Sequence, residues 1–380
     1  MDVDHREIMR RISEIAPRLS ANSAACDTAR QVAPQSMRAM VDAGLFRIPQ
    51  PARVGGYELS LRTLADAVTV VSQACPSSGW VLMVMGAHHW CMGSFPEQAQ
   101  DDVFGGGRDG LVAGTLSWQG TAAAADGGWR LNGRWQFASG VDHAEWVMVG
   151  CANAEKGGPG VHVVIPRNEI EVDDTWHVMG LKGTGSKDLV ARDLFVPAHR
   201  AIDTRALFGG TSPHARNHKT NLYRVSAEAM LSMSVATAVL GSGKFALDCF
   251  VERTRRRRVI LTGAPKAEHA PTQVRLAEAD AEIRCADLLI HDALDEFDRL
   301  MAAGEGQPLQ SRMRVKWQAA YAAELCRRAA ARMFSGSGAH AVYEPGALQT
   351  AFRNINVGAQ HASIDFDTSA EQYGRMRLTT

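Results

Sequence analysis

Two adjacent histidines, His88-His89, sit inside a run from Gly79 to Phe95 that is otherwise almost wholly apolar. An imidazole titrates near neutrality, so a histidine in such a place is suited to taking a proton from a substrate hydroxyl. Successive helical residues point about 100° apart, so at most one of the pair faces a given cavity. The plainer reading of either is a histidine hydrogen-bonded in the core. Further on, Ala138-Ser139-Gly140 and Met179-Gly-Leu-Lys-Gly-Thr184-Gly-Ser186 set hydroxyls beside glycines. Such clusters let a flat ligand approach the backbone and hydrogen-bond at its edge, although ordinary hairpin turns have the same composition. The run Arg255 to Arg258 follows Glu252-Arg253 at a helix end. It reads as solvated helix-terminal charge, or as a clamp for a phosphate on a neighbouring subunit's ligand. His361, in Gly358-Ala-Gln-His-Ala, reads on its own as a structural histidine of a helical tail.

Other chemistries find no support. There is no Gly-x-Gly-x-x-Gly between a strand and a helix and no Gly-Lys-Ser/Thr phosphate loop. The seven cysteines are scattered, with no Cys-x-x-Cys pair and no histidine at zinc-finger spacing, so they read as reduced core thiols and no metal is expected.

The elements that must position these residues fall into three segments. Residues 1–109 read as a helical domain, with helices over Glu7 to Leu19, Ala29 to Ala43, Leu61 to Ala74 and Gly79 to Phe95. The last is apolar on every side and so must be buried. Residues 110–210 alternate with period two between Gly and Asp clusters, as a small β-barrel or sandwich does. Trp129 to Phe137 reads as a hairpin across Asn132-Gly133, and Trp146 to Cys151 and Val161 to Pro166 as strands. Residues 211–380 return to longer, Ala-rich helices at Val225 to Thr254, His269 to Ala303 and Ser311 to Met333, with a helical stretch after Tyr343. Apolar residues there recur at threes and fours, as a four-helix bundle requires. The fold class is α+β.

The 380 residues are 46% hydrophobic and carry 41 basic and 41 acidic side chains. A balanced charge argues against nucleic acid or an anionic membrane as partner, since both select a basic excess. No uninterrupted apolar stretch approaches the roughly 20 residues of a membrane span, and the polar start Met1-Asp-Val-Asp-His5 is unlike a signal peptide. A cytoplasmic protein is expected.

Helical domain, β domain and four-helix bundle in that order resemble the acyl-CoA dehydrogenase fold over essentially the whole chain. Gly44-Leu-Phe-x-Ile-Pro49 with Gly55-Gly56, Trp135-Gln-Phe-Ala-Ser139-Gly140 and the 179–186 segment are similar to that superfamily's motifs. A dehydrogenase of this fold needs a carboxylate to remove an α-proton. The segment where it would stand, Val357-Gly-Ala-Gln-His361-Ala-Ser, has no acidic residue, and the alternative position holds Tyr223, ahead of Arg224. What remains resembles the oxygenase component of group D, two-component flavin-dependent monooxygenases. The resemblance implies that reduced FMN or FAD arrives from a separate NAD(P)H:flavin reductase. It reacts with O2 to a C4a-hydroperoxyflavin that hydroxylates an aromatic substrate, a phenol, naphthol or polyketide-like ring. It also implies a homotetramer assembled through the bundle.

The same resemblance assigns roles to residues. Ser139 falls at the hydroxyl beside flavin N5, His361 at the histidine beside C4a, and His88 or His89 at the base that deprotonates a phenol. Thr115 and Ser117 fall near flavin or substrate, Trp135, Phe137 and Thr184 complete the flavin's wall, and Arg258 is the arginine assigned to the flavin. Two departures stand out: Trp118 replaces a proline, which would reshape the substrate side, and the arginine-to-Gly263 spacing is one residue longer than in dehydrogenases. An N- or S-oxidising monooxygenase is the alternative on this scaffold. An acyl-CoA dehydrogenase with a displaced base and a non-catalytic binding role follow it.

Overall fold

The computed structural model describes residues 3–107, 109–155, 158–260 and 262–379. Five helices come first: α1 (His5–Ala29), α2 (Pro34–Asp42), α3 (Leu61–Ala74), α4 (Pro76–Met92) and α5 (Glu97–Phe104). The carboxylate of Asp4 caps α1 by accepting the Glu7 N–H, and the Ser60 hydroxyl caps α3 by accepting from Thr63. The helix expected over Ala29 to Ala43 begins only at Pro34, and Ala29 is the last residue of α1. Arg30 takes a left-handed φ of 56° and ends α1, and Pro34 then starts α2 at a position where its missing N–H costs nothing. In α4 every residue except Val84 is buried, as its all-round apolarity requires.

Seven strands follow: β1 (Val112–Ala125), β2 (Gly128–Ala138), β3 (Trp146–Asn153), β4 (Val161–Pro166), β5 (Glu171–Asp173), β6 (Lys187–Pro197) and β7 (Ala201–Asp203). They form one sheet in the order β5-β6-β2-β1-β3-β4-β7, in which only β1 and β3 run parallel. The hairpin expected across Asn132-Gly133 is overturned. Both residues lie within β2, and the reversal falls at Asp126-Gly127. Gly133 serves packing: it faces Gly120 across the ladder, and a Cβ on Gly120 would stand 2.1 Å from the Trp135 ring. The glycine pair makes room for that indole.

A short α6 (Thr204–Gly209) leads to α7 (Ala227–Arg255), α8 (Ala270–Ala303), α9 (Leu309–Ser335), α10 (Ala347–Gly358) and α11 (Phe366–Thr379). Helices α7 to α10 pack on one another as a bundle, and α7 also packs on α3 and α4. Gly241 allows the close approach of α7 to α3, since a Cβ there would lie 2.3 Å from the Thr69 carbonyl oxygen. Helix α7 is long and apolar enough to cross a membrane by composition, but 78% of that stretch is buried inside the molecule, as the central helix of a bundle is. The hydrophobic core runs without interruption from α1 through the sheet to α10. Of the seven free cysteines, five are buried as expected, Cys249 is partly exposed, and Cys285 lies on the surface of α8.

Candidate active site

Where α4, the β1 edge, the 176–186 loop, α6, α7 and the segment after α10 meet, they enclose a cavity of about 610 Å³. A wider groove between α7 and α8, about 770 Å³, is open and lined by Asp248, Glu252, Arg255 and Arg256 among others, and none of the candidate catalytic groups stands there. The chemistry belongs to the enclosed cavity.

Helix α4 settles the two histidines. His88 lines the cavity, whereas His89 points the other way. His89 is tied at both nitrogens: Nδ1 lies 2.9 Å from the Phe46 carbonyl oxygen and Nε2 accepts from the Val112 N–H at 3.3 Å. It joins α4 to the start of β1 and is a structural residue, which corrects its candidacy as a base. His88 Nδ1 lies 2.6 Å from the Val84 carbonyl oxygen. Only a protonated Nδ1 can satisfy that oxygen, so Nε2 carries a lone pair, and this atom is buried without a partner. Burial lowers the imidazole from 6.5 to about 4, leaving it neutral and a pure acceptor at physiological pH.

Ser139 stands at the end of β2, where an isolated bridge to Gly114 ties it to the β1 edge. A Cβ on Gly114, whose φ is 133°, would lie 2.0 Å from the Met148 carbonyl oxygen, so only glycine fits this junction. The Ser139 hydroxyl accepts from the Trp80 indole N–H at 3.2 Å and lies 2.7 Å from Ser186 Oγ, which lies 2.6 Å from Thr184 Oγ1. Thr184 in turn donates to the Leu181 carbonyl oxygen at 2.8 Å. Each hydroxyl has one proton, so the direction of the whole chain is set from that carbonyl backward. Ser186 donates to Thr184, Ser139 donates to Ser186, and Ser139 keeps an acceptor site for a ligand. Thr184 does not itself line the cavity, so its expected place in a ligand wall becomes that of a support behind Ser186. Trp135 is a second correction. It is fully buried, donates to the Gly150 carbonyl oxygen at 2.7 Å, and holds β2 to β3 away from the cavity.

Phe137 does line the cavity, with its ring edge-on to Trp176 at 6.0 Å, as do Thr115 and Ser117. The last two sit on a bulge of β1, and Thr115 Oγ1 accepts from the Ser117 N–H at 3.3 Å. Beneath the bulge, buried His162 bonds through Nε2 to the Leu116 carbonyl oxygen at 3.0 Å and through Nδ1 to Thr204 Oγ1 at 2.9 Å. Trp118 turns out of the bulge, is 60% exposed, and does not shape the cavity, against the expectation from its sequence position.

His361, after α10, faces the cavity. Its Nδ1 accepts from the Ser363 N–H at 3.2 Å and lies 2.9 Å from the Ser363 hydroxyl, so Nε2 bears the proton. Surrounding protein lowers this imidazole to about 4, although its ring keeps contact with cavity solvent. A ligand that displaces that water reinforces the neutral form. The cavity is thus lined by two neutral imidazoles of opposite kind, His88 with its lone pair on Nε2 and His361 with its proton on Nε2. Arg258 does not reach it. That side chain lies exposed on the turn after α7 and donates to the Gly263 carbonyl oxygen at 2.8 Å.

Several residues at the site escaped sequence reading. Trp80, Trp176 and Gln360 line the cavity, His162 supports its floor, and Asn354 accepts from the Leu181 N–H at 2.7 Å, fixing the loop that aims Ser186. Ser186 lay within a noted cluster, while Trp80 and Trp176 gave no signal beyond being tryptophans. Among the described residues no Asp or Glu lines the cavity. Tyr223 is buried with its hydroxyl donating to the Pro49 carbonyl oxygen at 2.9 Å, and burial pushes that hydroxyl's pKa up. A base for thioester α-deprotonation is therefore absent from the described cavity. Its aromatic rings, hydroxyl pair and the His361 donor suit a flat heteroaromatic ring with polar edges, as in a flavin.

Residues 233–366 match the family described as acyl-CoA dehydrogenase, C-terminal domain. The chain is 32% identical over 370 residues to the flavin-dependent monooxygenase, oxygenase subunit HsaA, of Rhodococcus jostii (strain RHA1), covering 96% of this chain and 97% of that one. It is 30% identical over 388 residues to the FADH2-dependent resorcinol hydroxylase, oxygenase component, of Rhizobium sp. (strain MTP-10005), covering 98% and 94%. The structure of XiaF from Streptomyces sp. in complex with FADH2 and glycerol superposes with a TM-score of 0.91 at 26% identity, covering 99% and 96%. Likeness over the full length, on this fold and without the dehydrogenase's base, identifies the chain as a member of the family of flavin-dependent monooxygenase oxygenase components.

Proposed function

We propose that this enzyme takes reduced flavin, FADH2 or FMNH2, from a separate NAD(P)H:flavin reductase and uses O2 to hydroxylate an aromatic substrate: a phenol, naphthol or polyketide-like ring. The names of the Rhizobium relative and the Streptomyces structure favour FADH2. The observation that carries the reading is His88, a residue that lines the same cavity as Ser139, Ser186 and His361 and whose Nε2 lone pair is buried without a partner. When bound, reduced flavin supplies the two electrons that divide O2 between the product hydroxyl and water.

The chain's own groups do the rest. His88 Nε2 accepts the hydrogen of the substrate hydroxyl. With its own pKa near 4, far below the value of about 10 for a phenol, it does not release a free phenolate. It holds the O–H and takes the proton as the ring gives up electron density to oxygen. Ser139 is assigned to the flavin's polar edge, His361 Nε2–H to holding negative charge and returning a proton, and Phe137, Trp80 and Trp176 to excluding water. Thr115 and Ser117 are assigned to the adjoining edge. Arg258 lies outside this cavity, so a phosphate contact from it is assigned to a neighbouring subunit's flavin in a homotetramer, which sedimentation would show as four chain masses.

The test is anaerobic mixing with reduced FAD or FMN, followed by oxygenated buffer in a stopped-flow spectrometer. The expected result is a near-ultraviolet transient that persists, decays faster when 2-naphthol is present, and yields hydroxylated product. Immediate return of the oxidised flavin spectrum without product would overturn the proposal.

A further inference from the structure

The end of the cavity formed by α4, α6 and α7 is almost wholly apolar. Of the groups contributed by α4, α6 and α7, Met83, Val84, Ala87, Phe208, Leu231 and Val235 are apolar, and the Trp80 N–H is already spent on Ser139. That leaves one polar atom with free capacity on this side, His88 Nε2, and the proton on Nδ1 makes it acceptor-only. No Lys, Arg, Asp or Glu among the described residues lines any part of the cavity.

Two consequences follow from elementary energetics. A ligand carboxylate brought into this apolar end would lose its water and meet no cation among the described residues, a cost far above that of burying apolar surface. A ligand with no hydrogen to donate would leave the imidazole lone pair as it is now, buried and unsatisfied.

We infer that the substrate is an uncharged hydroxyarene, bound by donating its hydroxyl hydrogen to His88 Nε2 with the rest of the ring system in the apolar end, and that phenolic acids and hydroxyl-free arenes are rejected. The inference rests on the proposed function and narrows its substrate class. The acceptor-only histidine excludes the second group and the absence of a cation excludes the first.

Three probes of matched ring size separate the terms: 2-naphthol, 2-methoxynaphthalene and 6-hydroxy-2-naphthoate. Their dissociation constants are measured by equilibrium dialysis on the intact protein, with and without oxidised FAD. 2-Naphthol is expected to bind at least about tenfold more tightly than either analogue, the ratio that about 1.4 kcal/mol produces. A ratio below tenfold for the naphthoate overturns the charge argument, and one below tenfold for the methyl ether overturns the role of His88. In His88→Leu the preference for naphthol over its methyl ether is expected to vanish while the discrimination against the naphthoate remains. Persistence of the first preference assigns the acceptor elsewhere and refutes the inference. Because these readouts are binding ratios, they fail independently of the stopped-flow transient, whose absence would remove the proposed function itself.

Discussion

His88 and His89 are neighbours in sequence with opposite duties, and substitution should separate them cleanly. His88→Ala removes the acceptor from the cavity and leaves the Val84 carbonyl oxygen its helical partners. Hydroxylation is expected to fall by about 10²-fold or more, with the near-ultraviolet transient still forming but no longer hastened by substrate. His89→Ala leaves the Phe46 oxygen and the Val112 N–H unpaired in the core. It should lower unfolding stability by about 2–3 kcal/mol while turnover per folded molecule stays within about twofold. Denaturant titration and rapid-mixing kinetics on the two variants check both halves. The contrast arises because a buried polar atom with a partner is part of the scaffold, whereas one without is available for a ligand.

At the scale of elements, the end of β2 carries the local strain of the site. Phe137 has a φ of 70°, in the left-handed region that bulky side chains rarely adopt, and the β2–β6 register slips between Trp135 and Ala138. The slip turns the ring of Phe137 to the cavity mouth against Trp176 and lets Ser139 follow two residues later. Strain held at a ligand site costs on the order of 1–3 kcal/mol. Phe137→Gly should therefore raise or preserve thermal stability, because glycine takes this conformation without penalty, yet weaken flavin binding through loss of an aromatic wall. Calorimetry and a flavin titration on the same sample would reveal the opposed movements. A loss of stability together with unchanged flavin affinity would show that the ring is a packing element alone. The loop after β5 is fixed by different means. Asn354 from α10 and the Trp176 and Thr184 donors converge on Leu181, so the bundle and the sheet jointly place Ser186.

Over the whole molecule, burial of neutral histidines sets the acid limit. His88, His89 and His162 are each lowered from 6.5 to about 4, with burial as the largest cause. The unfolded chain therefore binds more protons than the folded one between these values, and stability rises with pH across that window. The contribution is fully present above about 6.5 and is lost as pH falls toward 4, at most on the order of 3 kcal/mol per histidine. Unfolding free energy measured by denaturant at pH 7.5, 6, 5 and 4.5 should drop steadily, and His89→Gln should flatten the slope by about one histidine's share. Activity limited by the same protonation of His88 should hold to near pH 5, well below the ordinary histidine value.

The linear sequence by itself determined the order of helices, sheet and bundle, because periodicity switches from 3.6 to 2 and back. It also showed that the two positions where the dehydrogenase base would stand carry no acid, but only the packed cavity showed that none of the chain's other carboxylates replaces it among the described lining residues. It could not choose between His88 and His89. In a helix apolar on every side the period marks no preferred face, and the choice fell to the Phe46 carbonyl and Val112 N–H that meet one ring and the cavity that meets the other. Trp135 and Thr184 stand in the right segments but one layer behind the cavity, and a hydroxyl or indole carries no mark of which layer it occupies. The Trp80–Ser139–Ser186 chain joins residues 59 and 47 positions apart. Such long-range proximity, and the direction of proton donation it fixes, exists only once the sheet, α4 and α10 have packed, because hydrogen bonds are decided by distance and not by spacing along the chain.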